Sequence, residues 1–189
     1  MAAERDPVVV TERPTLESVY REHAQAVARW AVRLGGPNVD AEDVVHEVFL
    51  VVHAQLAGFR GDAKLSTWLY RITENVVRHR RRRERFRRWL GGSSEDVGGR
   101  VASSRPTPVE ALERREAESL VYRALDRLSE KQRTLIILFE IEGCSGEEIA
   151  ELTSMKVNAV WVALHRARAR FLEMLEKIDP QHRHKGEAS

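Results

Sequence analysis

The chain has 189 residues, of which 42% are hydrophobic and 32% charged, enough for one large soluble domain or two small ones. Its single cysteine, Cys144, excludes an internal disulfide framework and fits a reducing cytosol, and the polar first fifteen residues do not resemble a signal peptide. No apolar run reaches the length of about 18 residues that a membrane helix needs, so no membrane insertion is expected.

The net charge of +2 says little, but the distribution of charge says more. Asp40 to Glu47 hold four carboxylates, and Arg78 to Arg88 hold eight arginines against one glutamate. An acidic and a basic surface therefore offset each other in the sum.

Met1 to Pro14 read as a loose arm. A first helix is expected over Leu16 to Leu34, with Leu16, Val19, Tyr20, His23, Val27, Trp30 and Leu34 on one buried stripe and Gly35-Gly36-Pro37 as its stop. His23 reads as a core-edge residue rather than a ligand. Asp40 caps a second helix, buried through Val44, Val45, Val48, Phe49, Val52 and Leu56. Its crowded acidic N-terminus suits the helix dipole. Asp43 and His46 also have a metal-ligand spacing, but no second copy exists elsewhere in the chain, so no metal is expected. A docking face for a basic partner is the favoured reading.

A third helix starts near Ser66. Leu65, Leu69, Ile72 and Val76 form its inner stripe, with Trp68 beside them, whereas Thr67, Arg71, Glu74, Asn75 and Arg78 lie on other faces. Eight arginines in eleven residues cannot share one face, so the helix end is basic all round. Favourable cations near a helix C-terminus account for two or three of them; a phosphate backbone accounts for the rest.

Residues 91–108 are rich in glycine, serine and proline and read as a flexible linker. A second helical unit follows over 109–178, and residues 179–189 read as a polar tail whose His182 and His184 are too few for a metal site. Ser129 and Gln132 form a capping box, and so do Ser145 and Glu148. Leu135 to Phe139 read as the core of this unit. From Ser145 to Leu172 a short helix, a turn over Thr153 to Val157, and a longer helix with Val160, Leu164, Ala167 and Phe171 on one face outline a helix-turn-helix. The fold class expected is thus all-α, with two small helical domains joined by a linker, the second ending in a helix-turn-helix.

These parts, in this order, resemble the extracytoplasmic-function group of the sigma-70 family of bacterial sigma factors. DAEDVVHEVF is similar to the family's region 2.2, GFRG and STWLYRITENV to regions 2.3 and 2.4, and LSEKQRTLIILFEIEGCSGEEIAEL with LHRARARF to region 4. The resemblance runs from Leu16 to Ile178. It divides the chain into region 2 over 14–90, the linker over 91–108 and region 4 over 109–178. It implies a cytoplasmic, non-enzymatic subunit without cofactors that binds core RNA polymerase and promoter DNA and is held by an anti-sigma factor. It also implies polymerase docking through Asp43, His46 and Glu47, although the family usually has glutamine at the position of His46. The −10 element, read as a single strand, falls to Arg60, Gly61, Asp62, Thr67, Trp68, Arg71 and Asn75. Basic contacts from Arg78, Arg80, Arg81 and Arg82 would hold the phosphates, fixing position rather than sequence.

The recognition helix departs from the family. A turn that is usually Gly-Val-Pro is Ser154-Met155-Lys156 here, and the usual hydroxyl, lysine, serine and arginine are replaced by Ala159, Trp161, Val162 and Ala163. Apolar groups can touch thymine methyls but cannot make bidentate base contacts worth about 1–3 kcal/mol each. Of the groove-side set Lys156, Asn158, Ala159, Trp161, Val162, His165, Arg166 and Arg168, the basic members are left for phosphates. Three readings stay open: an unusual −35 element read through methyl contacts, a protein-contact role with Trp161 and Val162 as anchor, or weak duplex affinity with region 2 doing most of the reading.

Two other binding functions compete with this one. A non-specific nucleic-acid binder would use the arginine helix alone, and a sigma-like regulator would bind polymerase without initiating. No GxGxxG, P-loop, zinc-spaced cysteines or nucleophile with an adjacent base points to an enzyme or a small-molecule substrate, and Ser145-Gly146 lacks the strand-turn-helix setting of a nucleophile elbow.

Overall fold

The computed structural model describes residues 14–37, 39–90 and 108–180. The arm before Pro14, nearly all of the expected linker and nearly all of the tail, with His182 and His184, lie outside the described residues. Among the described residues the structure is helical throughout: α1 (Leu16–Gly35), α2 (Ala41–Gln55), α3 (Leu65–Trp89), α4 (Pro108–Leu125), α5 (Glu130–Ile136), α6 (Gly146–Thr153) and α7 (Val157–Ile178).

Local chemistry sets the helix ends. Asp40 accepts from the Asp43 amide at 3.0 Å and starts α2. Ser129 with Gln132 and Ser145 with Glu148 form reciprocal capping boxes at α5 and α6, as the spacing predicts. A third, Thr15 with Ser18, opens α1. The apolar run after Leu135 is not one continuous α-helix. Ile137–Ile141 form a π-helical turn, in which the Glu142 amide bonds back to Ile137 O at 2.9 Å. Ile137 and Leu138 are fully buried there, while Phe139 is turned toward α7.

α1, α2 and α3 pack as a three-helix unit around Val27, Val44, Val48, Val52, Leu69 and Tyr70. Tyr20 departs from the expected stripe: it is exposed and stacks edge-on against Phe49 at 4.7 Å. His23 sits at the core edge, half-buried. α4 to α7 pack around Leu125, Leu135, Ile149, Val160 and Leu164.

The second unit lies directly on the first, which sequence reading did not anticipate. Contacts at several places join them. At the C-terminus of α1, Tyr122 donates to Arg33 O at 3.1 Å and Arg133 donates to Leu34 O at 2.9 Å. Gly36 (φ +95°) lies beneath the Tyr122 ring, where a Cβ would come within 2.9 Å of Cδ1. Here α1 must both end and admit the ring, so glycine meets two demands. Along α3, Arg81 bonds Asp126 at 2.8 Å and Glu130 at 2.9 Å, Arg85 bonds Glu130 at 2.9 Å, and Thr134 donates to Glu74 at 2.8 Å. At the start of α3, Glu151 of α6 accepts from Lys64 at 2.7 Å and from Thr67 at 3.2 Å.

Candidate nucleic-acid and polymerase interface

Three surfaces carry the sequence-predicted site residues. On α2, Asp43 and His46 are exposed and Glu47 is half-buried. Arg80 reaches across from α3 and bonds Glu47 at 2.7 Å and Asp43 at 3.4 Å, with a further bond to the Asp43 carbonyl at 3.1 Å. The acidic face is thus held in place by one arginine of the basic helix, and in this arrangement Arg80 is engaged within the unit.

The α3 surface divides sharply. Arg60, Gly61 and Asp62 are exposed in the loop before the helix, and Trp68 is half-buried, stacked at 5.1 Å on Phe59. Thr67, expected on an outer face, is only 2% exposed, because α6 covers it. Arg71 bonds the Ser154 hydroxyl and reaches Leu152 O at 3.5 Å. Arg78 bonds Asn75 on the same helix. Arg81 is buried against Asp126 and Glu130 of the second unit, whereas Arg82 is exposed and forms no ion pair among the described residues. The described arginines of this cluster are therefore two populations, one that binds the protein to itself and one that faces out.

On α7, Lys156, Asn158, Ala159, Trp161, Val162, His165, Arg166 and Arg168 are all exposed, as the helix-turn-helix outline predicts. Ser154 takes a left-handed conformation (φ 56°) at the turn. Arg168 is drawn back to Glu140 at 2.5 Å and lies over the Phe139 ring at 4.7 Å. Trp161 keeps 44% of its surface exposed, but its ring meets Phe139 edge-on at 5.5 Å. It also lies against Gly146 at the start of α6, where a Cβ would fall 2.5 Å from Trp161 Cζ2. The indole is thus a strut of the motif as well as a surface group. Gly146→Ala is expected to cost about 1–3 kcal/mol by overpacking, and much less in a Trp161→Ala background. A double-mutant cycle by urea unfolding measures this coupling; purely additive costs would show that the strut is absent.

Sequence reading missed the second unit's contribution: Tyr122, Asp126, Glu130, Arg133, Glu142 and Glu151. Glu142 accepts from Arg29 at 3.1 Å and Arg33 at 3.3 Å. Burial pushes the Cys144 thiol up, and Glu148 and Glu142 add to it. Among the described residues no three His, Cys, Asp or Glu side chains gather as a metal site, and no helix is long and apolar enough to cross a membrane.

An acidic helix N-terminus, a helix with a long basic end and a helix-turn-helix on one chain define a bipartite DNA-binding protein, and two family models coincide with its two units. Residues 19–87 match Sigma-70 region 2 and residues 118–171 match Sigma-70 region 4. The chain belongs to the sigma-70 family of RNA polymerase sigma factors, in its extracytoplasmic-function group. It is 33% identical over 165 residues to the ECF RNA polymerase sigma factor SigE of Mycolicibacterium smegmatis, covering 87% of this chain but only 63% of that protein. It is 32% identical to the RNA polymerase sigma factor CnrH of Cupriavidus metallidurans, over 82% of this chain and 83% of CnrH. The solved structure of CnrH in complex with the cytosolic domain of CnrY aligns with a TM-score of 0.56 at 26% identity, covering 86% of this chain and 88% of that one. The sigma factor RpoE in complex with the anti-sigma factor NepR from Bartonella quintana also gives 0.56, at 25% identity, over 86% and 97%.

Proposed function

We propose that this protein binds core RNA polymerase in the cytoplasm and directs it to promoters, acting by binding and without chemistry of its own. The observation that carries this reading is the match of the two helical units to Sigma-70 regions 2 and 4. Region 2, which we take as residues 14–90, presents the carboxylates of α2 beside Arg80 for the polymerase and the α3 face with Arg71, Asn75 and Arg78 for the −10 strand. Region 4, which we take as residues 109–178, presents α7 for the −35 duplex.

Two refinements follow from the geometry. The contacts of Thr67 and Arg71 with α6 occupy groups needed for the −10 strand, so the units separate when promoter is engaged. On α7, Trp161 is partly used to brace the motif and Arg168 is held by Glu140. Lys156, His165 and Arg166 are left for phosphates, and the support is for weak −35 affinity with region 2 doing most of the reading. An anti-sigma factor is the regulatory partner we expect, as in the solved complexes of the two relatives.

The test is in vitro transcription with bacterial core polymerase on a pool of random promoter fragments, sequencing the transcript starts. A focused set of starts with a shared −10 motif and a weaker −35 motif is expected. Binding to core without starts would replace this reading with a non-initiating regulator. Failure to bind core would replace it with a general nucleic-acid binder.

A further inference from the structure

The basic helix α3 does not end where its match to region 2 ends, at residue 87. Its last turns carry two aromatic residues that no core residue covers. Phe86 is 59% exposed and Trp89 is 78% exposed, and their rings lie 6.0 Å apart, tilted by 30°. Exposed aromatics of this size are unusual on a helix whose neighbours are arginines, because nothing in the helix itself is gained by them.

Their position on the helix is informative. Arg71, Asn75, Arg78, Arg82, Phe86 and Trp89 follow one another by four, three, four, four and three residues. At 3.6 residues per turn these steps keep all six within about 40° of one line, and the rise places Trp89 about 27 Å beyond Arg71. The aromatic pair therefore continues the same stripe as the groups assigned to the −10 strand. Arg82 on this stripe, and Arg83 and Arg87 about 100° and 140° round the helix from its centre line, form no hydrogen bond or ion pair among the described residues, in contrast to Arg80, Arg81 and Arg85. The contacts with α4 and α5 are made from the other flank of α3, through Glu74, Arg81 and Arg85.

We propose that Phe86 and Trp89 form a stacking platform for single-stranded DNA, extending the −10-reading stripe of α3 by two turns, with Arg82, Arg83 and Arg87 holding the phosphates. This rests on the sigma reading for the identity of the stripe, but the strand-binding chemistry stands on the residues themselves. A positive groove tracks the backbone, and aromatic rings take bases without sequence preference because every base has a π-face. Unpaired bases fit better than a duplex, whose ring faces are already stacked on one another. The basic surround selects nucleic acid over an apolar protein partner.

The full-length protein is titrated into fluorescein-labelled oligothymidine, and into a duplex of the same length, at several salt concentrations. Phe86→Leu/Trp89→Leu keeps apolar bulk but removes the π-faces. It is expected to weaken oligothymidine binding about tenfold, with the salt slope unchanged because no charge is lost. Arg82→Gln/Arg87→Gln is expected to lower the slope by about 0.7 for each arginine. Circular-dichroism melting curves equal to wild type confirm that both variants fold. Oligothymidine affinity unchanged in the leucine variant would overturn the platform, and so would an equal loss on duplex. Core-polymerase pull-down runs in parallel and is expected to be retained in the leucine variant. If the wild-type chain fails that pull-down, the sigma reading falls, while the difference between wild type and variant on oligothymidine still decides the platform.

Discussion

Reversing the charge at Glu151 is expected to open the molecule and to raise its affinity for a single-stranded −10 oligonucleotide. In the closed arrangement Glu151 accepts from Lys64 and Thr67, and the neighbouring end of α6 engages Arg71 through Ser154 and Leu152. Glu151→Arg removes the acceptor and places a cation beside Lys64 and Arg71. Glu151 is on the surface of α6 and contributes nothing to the core of its own unit, so the substitution acts on the contact between units and not on the fold of either. A strand that binds only the open form has its apparent affinity reduced by the fraction of molecules that are open. Shifting that fraction is expected to tighten binding about tenfold, within the usual range of coupling between two states. Small-angle scattering should show a larger radius of gyration in the variant. The same contact has a pH dependence. The hydrogen bond from Lys64, with the Lys64 charge and the Thr67 hydroxyl, outweighs desolvation and holds the Glu151 carboxyl below its ordinary range. A carboxylate lowered in this way stabilises the closed form above its ordinary range and ceases to do so as pH falls through the lowered value. Acidification below the carboxylate range should therefore expand wild type more than Glu151→Gln. Equal radii for wild type and Glu151→Arg at neutral pH would show that Glu151 does not hold the units together.

The contact between units also marks where sequence reading stops. The helices, two of the three capping boxes and the helix-turn-helix were legible, because each depends on residues within one or two turns: Ser129 with Gln132, Ser145 with Glu148, Asp40 with its own first turn. The candidate surfaces were legible as concentrations of charge. The partition of those charges was not. Nothing in RHRRRRERFRR separates Arg81, buried between Asp126 and Glu130, from Arg82, which faces out. One residue of helical rotation decides it, and the deciding carboxylates lie some 45 residues further along the chain. Thr67 was misplaced for the same reason, since its hydroxyl meets Glu151 of α6, 84 residues further along the chain. Tyr20 shows the converse: periodicity put it on the buried stripe, but a 3.6-residue period tolerates error at the stripe's edge, and its ring finds Phe49 from outside. The π-helical turn at Ile137–Ile141 could not be read at all, because an unbroken apolar run fits either helical period. Exposed Trp161 looked like a lost base contact in the sequence. Its place against Gly146 and Phe139 gives it a second, structural reason to be there.

The largest loss of stability is expected at Arg133, and the pattern across substitutions distinguishes what the residue does. The residue is 2% exposed. It donates to Asp126 at 3.1 Å and to Leu34 O at 2.9 Å, and lies 5.5 Å from the centre of the Tyr122 ring, while its Nε has no partner among the described residues. Burial, and then the nearby charge of Arg81, push it down to about 10, partly offset by Asp126. It remains a cation at neutral pH, and a cation with a lowered value is one whose charged form disfavours the closed state until the pH rises through that value. Arg133 thus joins α5 to the end of α1 while carrying the strain of desolvation, and separation of the units rehydrates it. Arg133→Ala removes the donors and leaves a cavity beneath Tyr122, and should cost about 2–4 kcal/mol in urea unfolding. Arg133→Met keeps the volume and removes the buried charge together with its unpaired Nε, and should cost no more than about 1 kcal/mol, because a desolvated ion replaced by a well-packed apolar group is often near neutral. Arg133→Lys should fall between them, since an ammonium cannot reach Asp126 and Leu34 O with one planar fork. If methionine is as damaging as alanine, the bond to Leu34 O and not the packing governs the junction. The closed form would then be held by a polar latch with no apolar substitute.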